Sequence, residues 1–219
     1  MYIIMLGAPG SGKGTIGKIL SRDLQLKHVS TGDIFREHIA NKTEFGKQIE
    51  YYMENGILVP DDKAIEVIET RLLENDVKNG AILDGFPRTV IQAGALKEFL
   101  AKNNLSENVI AIELNVTDSE IIKRILNRIN CSNKKCKAIY NLDTRPSKVE
   151  GVCDICGSKL EKRTDDNKET ITRRLKIYHQ SSKDVIKFYK QNNALYSIHP
   201  ENSDKAVEDI KEFIKNRRK

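Results

Sequence analysis

The chain has 219 residues, 39% of them hydrophobic and 31% charged, with no tryptophan and a formal net charge of +6. That length supports one substantial core, expected as a single domain with insertions, and the composition excludes disordered and fibrous classes. The longest apolar run near the start, Tyr2 to Leu6, is too short for a signal-peptide core or a membrane span, so a cytoplasmic location without a membrane partner is expected.

Tyr2-Ile-Ile-Met-Leu6 has the continuous apolar character of a parallel strand buried on both faces. Gly7-Ala-Pro-Gly-Ser-Gly-Lys-Gly-Thr15 follows directly and leads into a helical stretch. Glycines at this spacing let backbone amides turn toward an anion, the next helix presents its positive end, and Lys13 adds a mobile charge. Gly14 stands where Ser or Thr is usual in such a loop, and the hydroxyl comes one residue later, at Thr15.

Between Ser30 and Val59 the texture changes to two short polar helices carrying Phe35, Ile39, Phe45, Ile49 and Tyr52, with Gly56 as a helix stop. After Pro60 a further helix is expected, with Asp61 or Asp62 accepting from its free amides and Ile65, Ile68 and Leu72 facing the sheet. Further strands are expected at Ala81–Leu83, Val109–Leu114 and, more weakly, Ala194–Ile198. Strands alternating with helices imply right-handed crossovers and a central parallel sheet, an α/β fold.

From about Arg128 to Arg163 the apolar periodicity stops, and something other than a hydrophobic core must hold the segment. It contains all four cysteines, as Cys131-x4-Cys136 and Cys153-x2-Cys156. Two knuckle-like pairs suit a closed tetrahedral zinc site of structural purpose, with disulfides and plain thiols as the other readings. The carboxy-terminal Lys215, Arg217, Arg218 and Lys219 read as a solvated helix end, so the positive balance favours anionic partners without separating nucleotides from nucleic acid.

The loop Gly7–Thr15, then Ser30-Thr-Gly-Asp33, then Asp84-Gly-Phe-Pro-Arg88, taken together, resemble the nucleoside monophosphate kinases, and among them the adenylate kinases of the long-lid, zinc-bearing type. The resemblance runs nearly end to end. It implies a three-layer P-loop core of residues 1–29, 60–127 and 164–219, a monophosphate-binding insertion at 30–59 and a zinc-ribbon-like lid at 128–163. The implied reaction is reversible phosphoryl transfer from MgATP to AMP giving two ADP, by a monomer whose lid closes over the reactants.

On the donor side the resemblance places Gly10, Ser11, Gly12, Lys13, Gly14, Thr15, Arg124, Arg128, Ile139, Tyr140 and Asn202. On the acceptor side it places Thr31, Arg36, the backbone of Ile57, Leu58 and Val59, then Gly85, Phe86, Pro87, Arg88 and Gln92, with Gln92 reading the base. Arg163 and Arg174 bridge the transferring group, and Lys13, Arg88, Arg124, Arg128, Arg163 and Arg174 form the catalytic set. Asp84 ends a strand where a carboxylate can hold Mg2+ through water. Asp33, Asp165 and Asp166 are further, weaker candidates for that role, with hinge or capping as the other reading, and His28, His38, His179 and His199 read as surface or packing residues.

The lid departs from the family in its first knuckle, where four residues separate the cysteines instead of the usual two, and in Asn141, where a histidine is usual. Phosphoryl transfer between polyanions needs converging positive charge and little covalent chemistry, and a monophosphate acceptor is already anionic, which fits a chain without an obvious His–carboxylate base. Two rival readings stand: a kinase for GMP, UMP or CMP, and a zinc-containing nucleic-acid-binding protein that senses ATP. Against the latter, aromatic residues make up only 6% and none is interleaved with the lysines as a stacking platform.

Overall fold

In the computed structural model, which describes residues 1–105 and 108–217, Tyr2, Ile3 and Ile4 are fully buried, and β1 (Tyr2–Gly7) is the middle strand of a five-stranded parallel sheet. The strand order is β2-β3-β1-β4-β8, with β2 at Lys27–Ser30, β3 at Ala81–Asp84, β4 at Val109–Leu114 and β8 at Leu195–Ile198. The alternation of β1 divides the interior: Tyr2, Ile4 and Leu6 join one apolar cluster, and Ile3 and Met5 join another. The second is closed by α1 (Lys13–Leu24) and α8 (Ser203–Arg217), the first by α4 (Asp61–Leu72), α5 (Val90–Lys102) and part of α7 (Lys168–Gln191). Helices on both faces of a mostly buried sheet give the expected three layers.

Strand β2 was not among the expected strands. Its four residues, Lys-His-Val-Ser, bury only Val29, because an edge strand has one neighbour and offers little apolar pattern. Its parallel register sets Ser30 beside Asp84 and His28 beside Ile82, which carries both side chains to the site.

The stretch 31–54 forms α2 (Thr31–Ala40) and α3 (Glu44–Glu54), capped by the hydroxyls of Ser30 and Thr43. Phe35 and Ile49 are buried in the cluster that also holds Tyr2 and Ile4. Gly56, at φ +65, follows the end of α3. The start of α4 corrects an expectation: Pro60 occupies the cap position and no side chain caps the helix. Asp61 accepts from Thr89 and Gln92 instead.

The segment without periodicity contains a second, antiparallel sheet of order β6-β5-β7, with β5 at Arg128–Cys131, β6 at Ile139–Asn141 and β7 at Leu160–Glu161. A small apolar cluster does exist there, Ile129, Tyr140 and Leu160, but Cys131 and Cys153 complete it. Such short strands cannot bury enough surface to stand alone. Lys215 and Arg217 lie in α8 as expected, whereas Arg218 and Lys219 lie outside the described residues. Among the described residues no helix is long and apolar enough to cross a membrane.

Candidate active site

The loop after β1 is held by its glycines. Gly12 sits at φ +105, a left-handed conformation costly for residues with a Cβ, and caps α1 without a side chain, leaving the first amides of that helix open to an anion. Lys13 bends back over the loop and donates to the carbonyls of Gly7 and Ala8, each at 2.7 Å. Gly14 has a different cause: a Cβ there would lie 3.2 Å from Asp84 Oδ2, so a side chain would crowd the carboxylate. The unusual Lys-Gly-Thr ending is thus the complement of Asp84 at the end of β3.

Asp84 faces His28, whose Nε2 lies 3.5 Å from Oδ2. Burial pushes the Asp84 carboxyl up, but His28, Lys13 and Arg88 together outweigh it and hold the group below the usual carboxylate range. His28, expected to be a surface or packing residue, packs against Gly17, where a Cβ would meet its ring at 2.8 Å, and also faces Asp84. The signal was weak because it depended on recognising β2.

Around these groups opens a cleft of about 470 Å3, within the range of ligand sites, bordered by Gly10 to Thr15, Asp33, Arg36, Asp84, Arg88, Arg124, Arg128, Ile139, Tyr140, Arg163, Arg174 and Asn202. Every arginine that the resemblance assigns to the nucleotide site lies on it. Asp33, Asp165 and Asp166 each pair with one of these arginines. Arg128 forks onto Asp166 through Nε at 2.8 Å and through Nη2, Arg174 reaches Asp165 at 2.7 Å, and Arg36 reaches Asp33 at 2.7 Å. Arg173, next to Arg174, points away, to the carbonyl of Asn55 and to Glu169.

The positive groups outmatch their partners. Burial lowers Arg88 to about 10, with further repulsion from Arg174 and Arg36. Burial likewise brings Arg163 to about 10, aided by Arg36 and Arg128. Lys13 falls to about 8, through burial first and then Arg88 and Arg128, against the attraction of Asp84. Burial and mutual repulsion depress cations where an anion is absent, so a polyphosphate would relieve them.

The acceptor-side residues gather beyond Gly85. Arg88 Nε donates to the Gly85 carbonyl at 2.9 Å, Thr31 is buried with its hydroxyl unpartnered among the described residues, and Gln92 is 2% exposed. Phe86 and Val59 are buried in the apolar cluster that also holds Tyr2 and Ile4, and Ile57 is exposed. Pro87 and Leu58 line an adjoining inner cavity that also reaches Lys13 and Arg174.

On the lid side, Ile139 lies 3.8 Å from where a Gly14 Cβ would project. Tyr140 is 5% exposed and directs its hydroxyl to Cys153 Sγ at 3.5 Å, so much of that side chain belongs to the lid interior. Asn141, where a histidine is usual, holds the Arg124 carbonyl at 2.9 Å. The long first knuckle reaches across to α2: Lys137 lies 3.6 Å from Glu37, and Lys134 lies 3.5 Å from Asn41.

The four cysteine sulfurs lie within 4.8 Å of one another, with Cys131–Cys156 at 3.4 Å and Cys136–Cys153 at 3.7 Å. None is in a disulfide. A tetrahedron of four sulfurs at about 2.3 Å from zinc has edges of roughly 3.8 Å, so the set can hold such an ion despite the wider first knuckle. The Tyr140 hydroxyl, and after it backbone amides, bring the Cys153 thiol down to about 6.

The titration of Lys13 has a measurable consequence. The ammonium is the form that binds phosphate, and it is lost in the free protein as pH rises through about 8. The expected kcat/KM for MgATP is level below about pH 8 and falls toward tenfold per pH unit above it. A flat profile up to about pH 9.5 would contradict this assignment of Lys13.

Comparison with known proteins places the chain. The family model described as "Adenylate kinase" matches residues 5–194. The adenylate kinase of Clostridium tetani is 44% identical over 99% of this chain and 97% of its own length. Those of Caldicellulosiruptor saccharolyticus and Thermosipho africanus are 43% and 42% identical, each over 98% of this chain and over 98% and 100% of their own lengths. Matched by the model over most of its length and by these relatives nearly end to end, the chain belongs to the adenylate kinase family.

Proposed function

We propose that this site transfers a phosphoryl group reversibly from MgATP to AMP, giving two ADP. One observation carries the reading: Lys13, Arg36, Arg88, Arg124, Arg128, Arg163 and Arg174 converge on a single cleft that runs from the phosphate loop to Gly85 and Arg88, with Thr31 packed against Gly85 and Gln92 holding the Arg88 backbone, both buried off the cleft. A loop that served one nucleotide alone would not need cations on both sides.

The donor phosphates lie along Gly10 to Thr15 and Lys13, with Arg124 and Arg128 closing from the lid hinge. Arg36 and Arg88 grip the acceptor phosphate, and Arg163 and Arg174 stabilise the group in transit. The acceptor oxygen is already anionic, so these residues supply position and charge rather than a base. Asp33, Asp165 and Asp166 hold the arginines in place and release them to phosphate oxygens. Asp84 is placed to receive the magnesium that accompanies ATP, through water, and His28 orients its carboxylate. Residues 30–59 act as the monophosphate-binding unit and 128–163 as the lid, which excludes water as a competing acceptor. Zinc held by Cys131, Cys136, Cys153 and Cys156 supplies structure to that lid and no chemistry.

A coupled assay of ADP formation with AMP, GMP, UMP and CMP at equal concentration tests the reading. AMP is expected to give the highest kcat/KM by at least about tenfold, the scale of discrimination that a few polar contacts to a base supply. Equal rates with a pyrimidine monophosphate would reassign the acceptor.

A further inference from the structure

Gln92 is the residue of the acceptor corner whose side chain has two chemically opposite ends, and both are tied. Its Oε1 accepts from the Arg88 backbone N–H at 2.7 Å, and its Nε2 donates to Asp61 Oδ1 at 2.8 Å. The same Asp61 oxygen accepts from the Thr89 hydroxyl at 3.0 Å. Thr89 in turn caps α5 and accepts the Gln92 backbone N–H at 3.2 Å. A backbone N–H can only donate and a carboxylate can only accept, so the amide has one permitted orientation. Turned by half a rotation, it would set N–H against N–H and oxygen against carboxylate.

We propose that Asp61 is a positioning residue that locks the polarity of the Gln92 amide and so makes the acceptor site favour adenine over guanine. The proposal rests on the reading of this corner as the acceptor-base site. An amide oxygen has two lone pairs and an amide nitrogen two hydrogens, so one acceptor and one donor position remain on Gln92 after Arg88 and Asp61 are served. Adenine presents amino hydrogens at N6 and a lone pair at N1. Guanine presents the reverse, an oxygen at O6 and a hydrogen at N1. A glutamine free to turn over would suit either base with the same number of bonds, whereas a locked one matches adenine and opposes guanine. The buried hydroxyl of Thr31, unpartnered among the described residues, lies near Gly85, its Cβ 3.8 Å from the position of a Gly85 Cβ.

A purely structural role for Asp61, as an acidic residue in the first turn of α4, makes a different prediction, because Asp62 remains there to serve it. Steady-state kinetics with saturating MgATP and either AMP or GMP separate the two. Asp61→Ala is expected to lower the AMP-to-GMP ratio of kcat/KM by about tenfold, through a higher KM for AMP and a gain with GMP, while kcat with AMP and the KM for MgATP stay within about threefold. Asp61→Asn, which keeps an accepting oxygen, is expected to retain most of the ratio. An unchanged ratio in Asp61→Ala overturns the proposal.

Gln92→Leu distinguishes the failures. If it leaves discrimination intact, the base-site reading fails and the Asp61 role with it. If it abolishes discrimination while Asp61→Ala does not alter it, only the lock is wrong. Should Asp61→Ala fail to fold, the unmodified chain carries the test in its nuclear magnetic resonance spectrum. The two Gln92 side-chain protons, identified by their absence in Gln92→Leu, are expected to be distinct and slow to exchange with solvent. A rapidly exchanging, solvent-like pair overturns the lock.

Discussion

Lys13→Ala lowers kcat for ADP formation by about 10³ and leaves the melting temperature unchanged or slightly raised. The activity loss follows from the removal of a cation aimed at the outer phosphates, in a site where single preorganised donors contribute about 10²–10³ and arginines on the transferring group about 10³–10⁵. The stability half of the prediction comes from burial. In the free protein Lys13 is desolvated enough to bring its pKa to about 8, so holding it charged works against the fold rather than for it. The two carbonyl bonds that Lys13 makes to Gly7 and Ala8 are lost with it, but the loop retains the left-handed Gly12 and the Ser11 N–H to Ala8 carbonyl bond. Circular dichroism melting beside the coupled assay checks both halves. Loss of activity together with loss of fold, or a kcat within tenfold of the unmodified chain, would show that Lys13 is a structural residue.

Removal of the zinc proposed for the four cysteines is expected to have the second large effect. The lid cluster has five buried members, and two of them, Cys131 and Cys153, are themselves ligand candidates. Without an ion to unite four sulfurs, strands as short as Leu160–Glu161 have little to hold them. Structural zinc contributes apparent binding energies of about 10–16 kcal/mol to small domains that are unfolded without it. Even a third of that, lost here, lowers the melting temperature by roughly 10 °C for a chain of this size. The expected result is release of one equivalent of zinc on thiol modification or chelation, and loss of ADP formation. Most helical signal should survive at moderate temperature, because the five-stranded sheet and its helices do not depend on the lid. Cys153→Ala is expected to behave like the chelated protein. Unaltered melting and activity after verified metal removal would contradict a structural zinc.

Sequence pattern revealed the parts of the fold that are buried on both faces. Tyr2–Leu6 and Val109–Leu114 are continuous apolar runs because the sheet encloses them, and they stand in the structure as β1 and β4. Edge strand β2 buries Val29 alone, and a half-polar four-residue strand carries no periodicity to detect. The lid strands were hidden for a related reason: their cluster has only Ile129 and Leu160 as aliphatic members, far apart in the chain, and is completed by Tyr140 and two cysteines, which leaves no hydrophobic pattern to detect. At the site, the phosphate loop was legible because its residues are contiguous. The arginines were legible through family resemblance, and the structure brings all of them to one cleft. Their acidic partners were not. Asp166 meets Arg128 across 38 positions and Asp61 meets Gln92 across 31, distances at which only the folded chain decides who faces whom. His28 was lost with β2.

Following one phosphoryl group from donor to acceptor tests the proposed transfer most directly. With the γ-phosphorus of ATP isotopically labelled and AMP supplied, the label is predicted in the β-position of newly formed ADP, with release of inorganic phosphate slower by at least about 10² because closure excludes water. Label released as inorganic phosphate at a comparable rate with and without AMP would contradict the account.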